Sequence, residues 1–260
     1  MFAVRDRQVA ALTTACKEDV KDRHRRSRRD SSRTAVAAAA QDKKMDTQAH
    51  IQGTVTNFAN EPLAGAEVLL KRDDFSDAAR AVADSQGRYS LLVPAGRYIA
   101  LCAVRNYQVE NLEYWAWDIP AQGDLTIDCR VDGLELYGIH AWRPSGALPS
   151  YLVYVRPMSL QRCGKLIQEH GPDALDSLPV VAISPELTVQ EIIAEVDGQT
   201  VPVFAVSRVS ESAGPGRTMP GWLIQVGLPA STGTASPSRL SLELTDRETG
   251  EHGAGCVFLP

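Results

Sequence analysis

The sequence predicts an all-β chain of two successive β-sandwiches behind a disordered basic N-terminal extension. From His50 onward, short runs of alternating apolar and polar residues are separated by Gly, Pro, Asn and Asp about every 8–12 residues, the spacing of sandwich strands. Of the 260 residues, 44% are apolar, enough to fill a core in each of two domains. A break in patterning over 159–178 separates the two strand-rich parts. The expected organisation is therefore an extension at 1–46, a sandwich at 47–158, a linker with a short helix at 159–178, and a second sandwich at 179–260.

Residues 1–46 carry 12 Lys and Arg against 7 Asp and Glu, a net charge of +5, whereas the whole chain stands at −5. The body is thus acidic and repels phosphate backbones, which argues against nucleic-acid binding by the folded part. The run KDRHRRSRRDSSR (21–33) is the sole basic candidate, and it has no aromatic residue for base stacking. Its low hydrophobicity predicts a solvated, disordered segment. The N-terminus lacks an apolar signal core of about 7–15 residues, and no run approaches the roughly 20 residues of a membrane span, so a cytoplasmic protein without a membrane segment is expected. MDTQAHIQG runs straight into the first strand, which suggests Met45 as an alternative start.

HIQGTVTN (50–57) reads as a strand, NEPLAGA (60–66) as a turn set by Pro62 and Gly65, and EVLLKR (67–72) as a strand. Residues 78–105 give three more strands, with turns at Asp84–Gly87 and at Pro94-Ala95-Gly96. The succession I-x-G-x-V at 51–55, PLAGAEVLL at 62–70, A-x-S-Q-G-R-Y-S-L at 83–91 and VPAGRYIAL at 93–101 resembles the carboxypeptidase regulatory-like domain, a transthyretin-like sandwich. The resemblance covers about 50–105 and implies that fold. It also implies an accessory or stabilising role, since function resides in sites and not in folds.

LEYWAWDIP (112–120) is a strand with rings pointing both ways. Alternation puts Leu112, Tyr114 and Ala116 on one face and Trp115, Trp117 and Ile119 on the other. LELYGIHAW (134–142) likewise has Leu134, Leu136, Gly138, His140 and Trp142 opposite Glu135, Tyr137, Ile139 and Ala141. These strands, with SYLVYVRP (150–157), are expected to complete the first sandwich and to meet a second cover: the second sandwich, another copy of the chain, or a ligand.

SLQRCGKLIQEHG (159–171) has helical character that ends at Gly171 before Pro172. Beyond it, residues 180–206, 221–229 and 239–259 alternate in a pattern similar to immunoglobulin or fibronectin type III modules, with VDGQTV as a type I′ hairpin. Long Gly/Pro-rich loops are expected at 211–221 and 231–238. Five cysteines, Cys16, Cys102, Cys129, Cys163 and Cys256, without a C-x-x-C pair, argue against a disulfide framework or a zinc site. Cys102 and Cys129 fall in strands that a bridge would be able to join, but buried free thiols are the expected state.

The common catalytic contexts are missing: the chain has no G-x-S-x-G and no H-E-x-x-H. Intradiol dioxygenases and hydroxyisourate hydrolases share the transthyretin-like fold, but the H-x-H of the first is absent, and the chain ends GCVFLP, not in the Y-R-G-S of the second. No catalytic residue is carried over from either, and no cofactor or metal is expected. His140, two positions from Trp142, is the weak catalytic candidate, with Glu113, Asp118, Asp128 and Asp132 as neighbouring acids. Arg156 is read as the partner of a carboxylate such as Glu135, or as a ligand contact.

The expected function is that of a non-catalytic interaction protein, an accessory or scaffolding subunit or a homo-oligomer. Its binding residues are Tyr114, Trp115, Trp117, Tyr137, His140, Trp142 and Arg156. The alternatives are a carbohydrate or small-molecule binding module that stacks a ligand on the same rings, and an enzyme centred on His140.

Overall fold

The computed structural model describes residues 48–146, 149–229 and 237–260. The extension at 1–46, with Cys16, His24 and Met45, lies outside them, as does most of the loop at 231–238. The fold is all-β. Its first strands are β1 (Gln48–Thr56), β2 (Glu67–Lys71), β3 (Asp77–Val82), β4 (Arg88–Pro94), β5 (Gly96–Val104), β6 (Tyr114–Ala121), β7 (Leu125–Thr126) and β8 (Cys129–Arg130). Then follow β9 (Leu134–Trp142), β10 (Ser150–Ser159), helices α1 (Leu160–His170) and α2 (Ala174–Ser177), β11 (Ile192–Val196) and β12 (Gln199–Val201). The last four strands are β13 (Val203–Ser212), β14 (Thr218–Gly227), β15 (Arg239–Thr245) and β16 (His252–Phe258).

Three sheets result. The first runs β4-β1-β7, with β8 also on β1; the central one runs β12-β11-β15-β16-β6-β5-β2-β3; the third runs β13-β14-β10-β9. The turns at 84–87 and 94–96 do not make simple hairpins. They carry the chain from β3 in the central sheet to β4 in the first and back to β5. The VDGQTV hairpin is as expected: Asp197 and Gly198 both take positive φ and join β11 to β12.

Two cores lie on opposite faces of the central sheet. One fills the space to the first sheet, with Ile51, Tyr89, Leu91 and Ile127 against Val68, Leu70, Leu101, Ala103, Cys256 and Phe258. The other fills the space to the third sheet, with Val153, Val155, Trp222 and Ile224 against Ala100, Cys102, Ile192, Leu240, Leu242 and Val257. Strands β5, β6 and β16 are common to both sandwiches and are buried on both faces. A division of the chain at 158 does not follow the sheets, because β9 and β10 pair with each other and β10 with β14 in the second sandwich. The final strand then returns to lie parallel to β6, with Gly255 opposite Trp115 and Val257 opposite Trp117.

This placement accounts for LEYWAWDIP. Tyr114, Ala116, Ile119 and Ala121 enter the first core, and Trp115 and Trp117 enter the second. Strict alternation would have put Ile119 with the tryptophans. Asp118 takes φ 57°, a left-handed conformation that Asp tolerates better than most residues, and it switches the faces of the strand. Burying about 200 Å² for each indole at about 25 cal/mol per Å² contributes roughly 5 kcal/mol per ring.

Glycines in HGAGCVF allow β9 to cross β16 closely. A Cβ on Gly253 would lie 2.3 Å from the Leu134 carbonyl oxygen, and one on Gly255 would lie 2.7 Å from Ile139 Cδ1 and 2.9 Å from the Trp115 carbonyl oxygen. Cys102, Cys129, Cys163 and Cys256 are buried free thiols. Cys102 and Cys129 sit in different cores, on opposite sides of the central sheet, so they cannot be bridged.

The segment at 159–178 is part of the second sandwich and not only a linker. Cys163, Leu175, Val181 and Ile183 join the same core as Met158 and Met219. Ser159 caps α1 by accepting the Arg162 N–H at 3.0 Å, and its hydroxyl donates to Glu251. Glu251 also accepts the Gln161 N–H at 3.0 Å, yet burial keeps its pKa above the ordinary value. Arg162 forks onto the buried Asp246 with bonds of 2.5 and 2.9 Å and reaches Glu248 at 2.8 Å. Burial pushes the Asp246 carboxyl up, but the bonds from Arg162 and the Glu248 N–H outweigh it and leave its pKa below the usual 3.8.

Two outcomes follow for stability. Gly253→Ala places a methyl against backbone that cannot yield, and it is expected to cost about 1–3 kcal/mol, read as a lower urea midpoint. Arg162→Met is expected to cost about 2 kcal/mol near neutral pH. Because the folded pKa of Asp246 is depressed, this contribution is complete above its unfolded value and is lost as pH falls through the folded value. Urea titrations at a series of pH values should therefore show the gap between wild type and variant closing below pH 3.8.

Candidate functional site

The rings singled out in the sequence separate into two groups. Trp115 and Trp117 stack at 5.2 Å, and Tyr137 meets both edge-on at 5.3 Å. The Trp115 indole N–H donates to Glu135 at 2.9 Å, and the Arg156 guanidinium lies 5.1 Å from the centre of the Tyr137 ring. Tyr114, Trp115, Trp117, Tyr137 and Arg156 are all buried, with Trp115 only 1% exposed. They are not a docking face, because the third sheet covers Trp115 and Trp117 on one side of β6 and the first sheet covers Tyr114 on the other. Register puts Arg156 opposite Tyr137 and Glu135 opposite Met158, so the expected pair are diagonal neighbours within the buried layer.

His140 and Trp142 have a different environment. In the third sheet Val153, Val155, Ile224 and Val226 point into the core. The alternate positions point to solvent: His140 and Trp142 on β9, Leu152 and Tyr154 on β10, Leu223 and Gln225 on β14, and Ala205 and Ser207 on β13. The imidazole and the indole are nearly parallel, with centres 5.7 Å apart, and Trp142 is 39% exposed. A bulge between Tyr154 and Arg156, opposite Gly138 at φ 66°, ends the regular ladder and separates this open part from the buried start of β9.

Glycines shape the middle of the face. A Cβ on Gly221 would lie 3.1 Å from both Glu211 Cγ and Tyr154 Cε2 and 3.2 Å from Tyr154 Oη, so the tyrosine ring and the Glu211 side chain share the space over β14 where a side chain is missing. At the β13 edge a Cβ on Gly227 would lie 3.3 Å from Phe204 Cζ, and Phe204 is 48% exposed. Gln225 donates to Ser150 at 3.1 Å between these rings. The surface is a shallow aromatic floor with Trp142 at one edge and Phe204 at the other.

The acids considered with His140 are not brought to it. Asp128 accepts the backbone N–H and the hydroxyl of Thr54 in the first sheet, both at 2.8 Å, and Asp132 accepts the His252 N–H at 2.9 Å. Glu113 and Asp118 belong to the β6 region, which lies beneath the inner face of the third sheet, whereas His140 is on the outer face. Among the described residues no group of three or more His, Cys, Asp and Glu is placed to hold a metal ion. Tyr154, Leu152, Leu223 and Phe204 were not singled out in the sequence. The signal available for them was the glycine spacing at 221 and 227 in GWLIQVG, which marks strand positions without side chains on one face.

No curated protein matches the chain. Among solved structures it is similar to a DUF3823 family protein from Bacteroides ovatus, at 11% identity and a TM-score of 0.29, covering 82% of this chain and 100% of that one. A DUF3823 family protein from Parabacteroides merdae gives 10% identity and a TM-score of 0.25, covering 82% and 98%. The major pilin subunit of Bacillus cereus gives 11% and 0.27, covering 82% and 69%. The family model of the carboxypeptidase regulatory-like domain matches residues 50–130, which reach from β1 to β8. Residues 50–130 are therefore a carboxypeptidase regulatory-like domain, onto which strands β9 to β16 build a second sandwich.

Proposed function

We propose that this chain is a non-catalytic interaction protein that holds its partner on the outer face of the β13-β14-β10-β9 sheet. One observation carries this reading: the exposed rings Trp142, His140 and Phe204 collect with Tyr154 on one sheet face that packs against no other part of the described chain. Contiguous exposed apolar surface of this kind marks a recognition site far more often than a scattered exposed residue does. The regulatory-like domain and the shared central sheet then act as a rigid mount, in keeping with the accessory role that this type of domain implies.

The test is to immobilise the protein, pass an extract of its native cells over it, and weigh what elutes, whether polypeptide or glycan. Wild type is compared with the variant Trp142→Ala/Phe204→Ala. Both substituted side chains are half-exposed, so the variant should keep its melting temperature within a few degrees. A partner recovered by wild type and at least tenfold less by the variant is the expected result. Equal recovery by both would overturn the assignment of this face.

A further inference from the structure

We draw no further inference here: the strongest candidate, the groove of about 400 Å³ between α1 and the turn that joins β15 to β16, already pairs its cations Arg162 and Lys165 with Asp246 and Glu248, and nothing in it selects a ligand.

Discussion

The parallel pairing of β16 with β6 is the contact on which the rest of the structure depends. Without it β6 would be an edge strand with a row of unsatisfied backbone groups, and one side of its neighbours would lack a sheet to continue into. With it, one sheet runs through both sandwiches and each sandwich uses the other as its boundary. Tyr114 packs in one core and Trp115 in the other, one residue apart. The two strands are separated by 130 residues of chain, 122–251, so the central sheet closes only after most of the polypeptide has been collected. A topology of this kind is slow to fold and unfolds as one unit, because removing either sandwich exposes a face of the other.

Local signals in the sequence were sufficient for much of this. Strand alternation, the Asp-Gly hairpin at 197–198 and the helix that stops at Gly171 are each decided by residues within a few positions of one another, and each appears as expected. The regulatory-like domain was visible for the same reason, since its turns recur at fixed offsets along about 50 residues. Nothing local marks β16 as the neighbour of β6. HGAGCVF looks like a weak strand because of its glycines, yet those glycines are the condition for β9 to cross it. The switch of faces at Asp118 was equally hidden, because an aspartate in a strand seldom adopts a left-handed backbone and no glycine signalled the kink.

The site shows the same division between local and non-local information. LEYWAWDIP was correctly read as a strand that needs cover on both faces, but a sequence pattern cannot say whether cover comes from the chain or from a partner. Here it comes from β9 and the third sheet, which turns Trp115, Trp117 and Tyr137 from candidates for binding into core. His140 and Trp142, three to five positions beyond Tyr137 on the same strand, escape that fate because alternation turns them to the face of β9 opposite Tyr137, Ile139 and Ala141, which points away from the core. Phe204 and Tyr154 gain their significance only from neighbours on other strands, Gly227 and Gly221, and that relation exists only once the sheet is paired.

The placement of the rings on the face, and not along the edge, of the third sheet also has a physical reason. Strand β13 is a ten-residue edge strand, exposed along much of its length, and such an edge invites pairing with another chain. Two features oppose that. A register shift between Val203 and Ala205 breaks the ladder near one end, and Arg208 and Glu211 put charge along the other half. The face carries the Glu211 side chain at one end, over Gly221, and neutral or aromatic residues elsewhere, and the stability of the fold does not depend on those rings because both cores lie on the other side of the sheet. Substitutions there are therefore free to follow the demands of a ligand, while substitutions at Trp115 or Gly253 are held by packing.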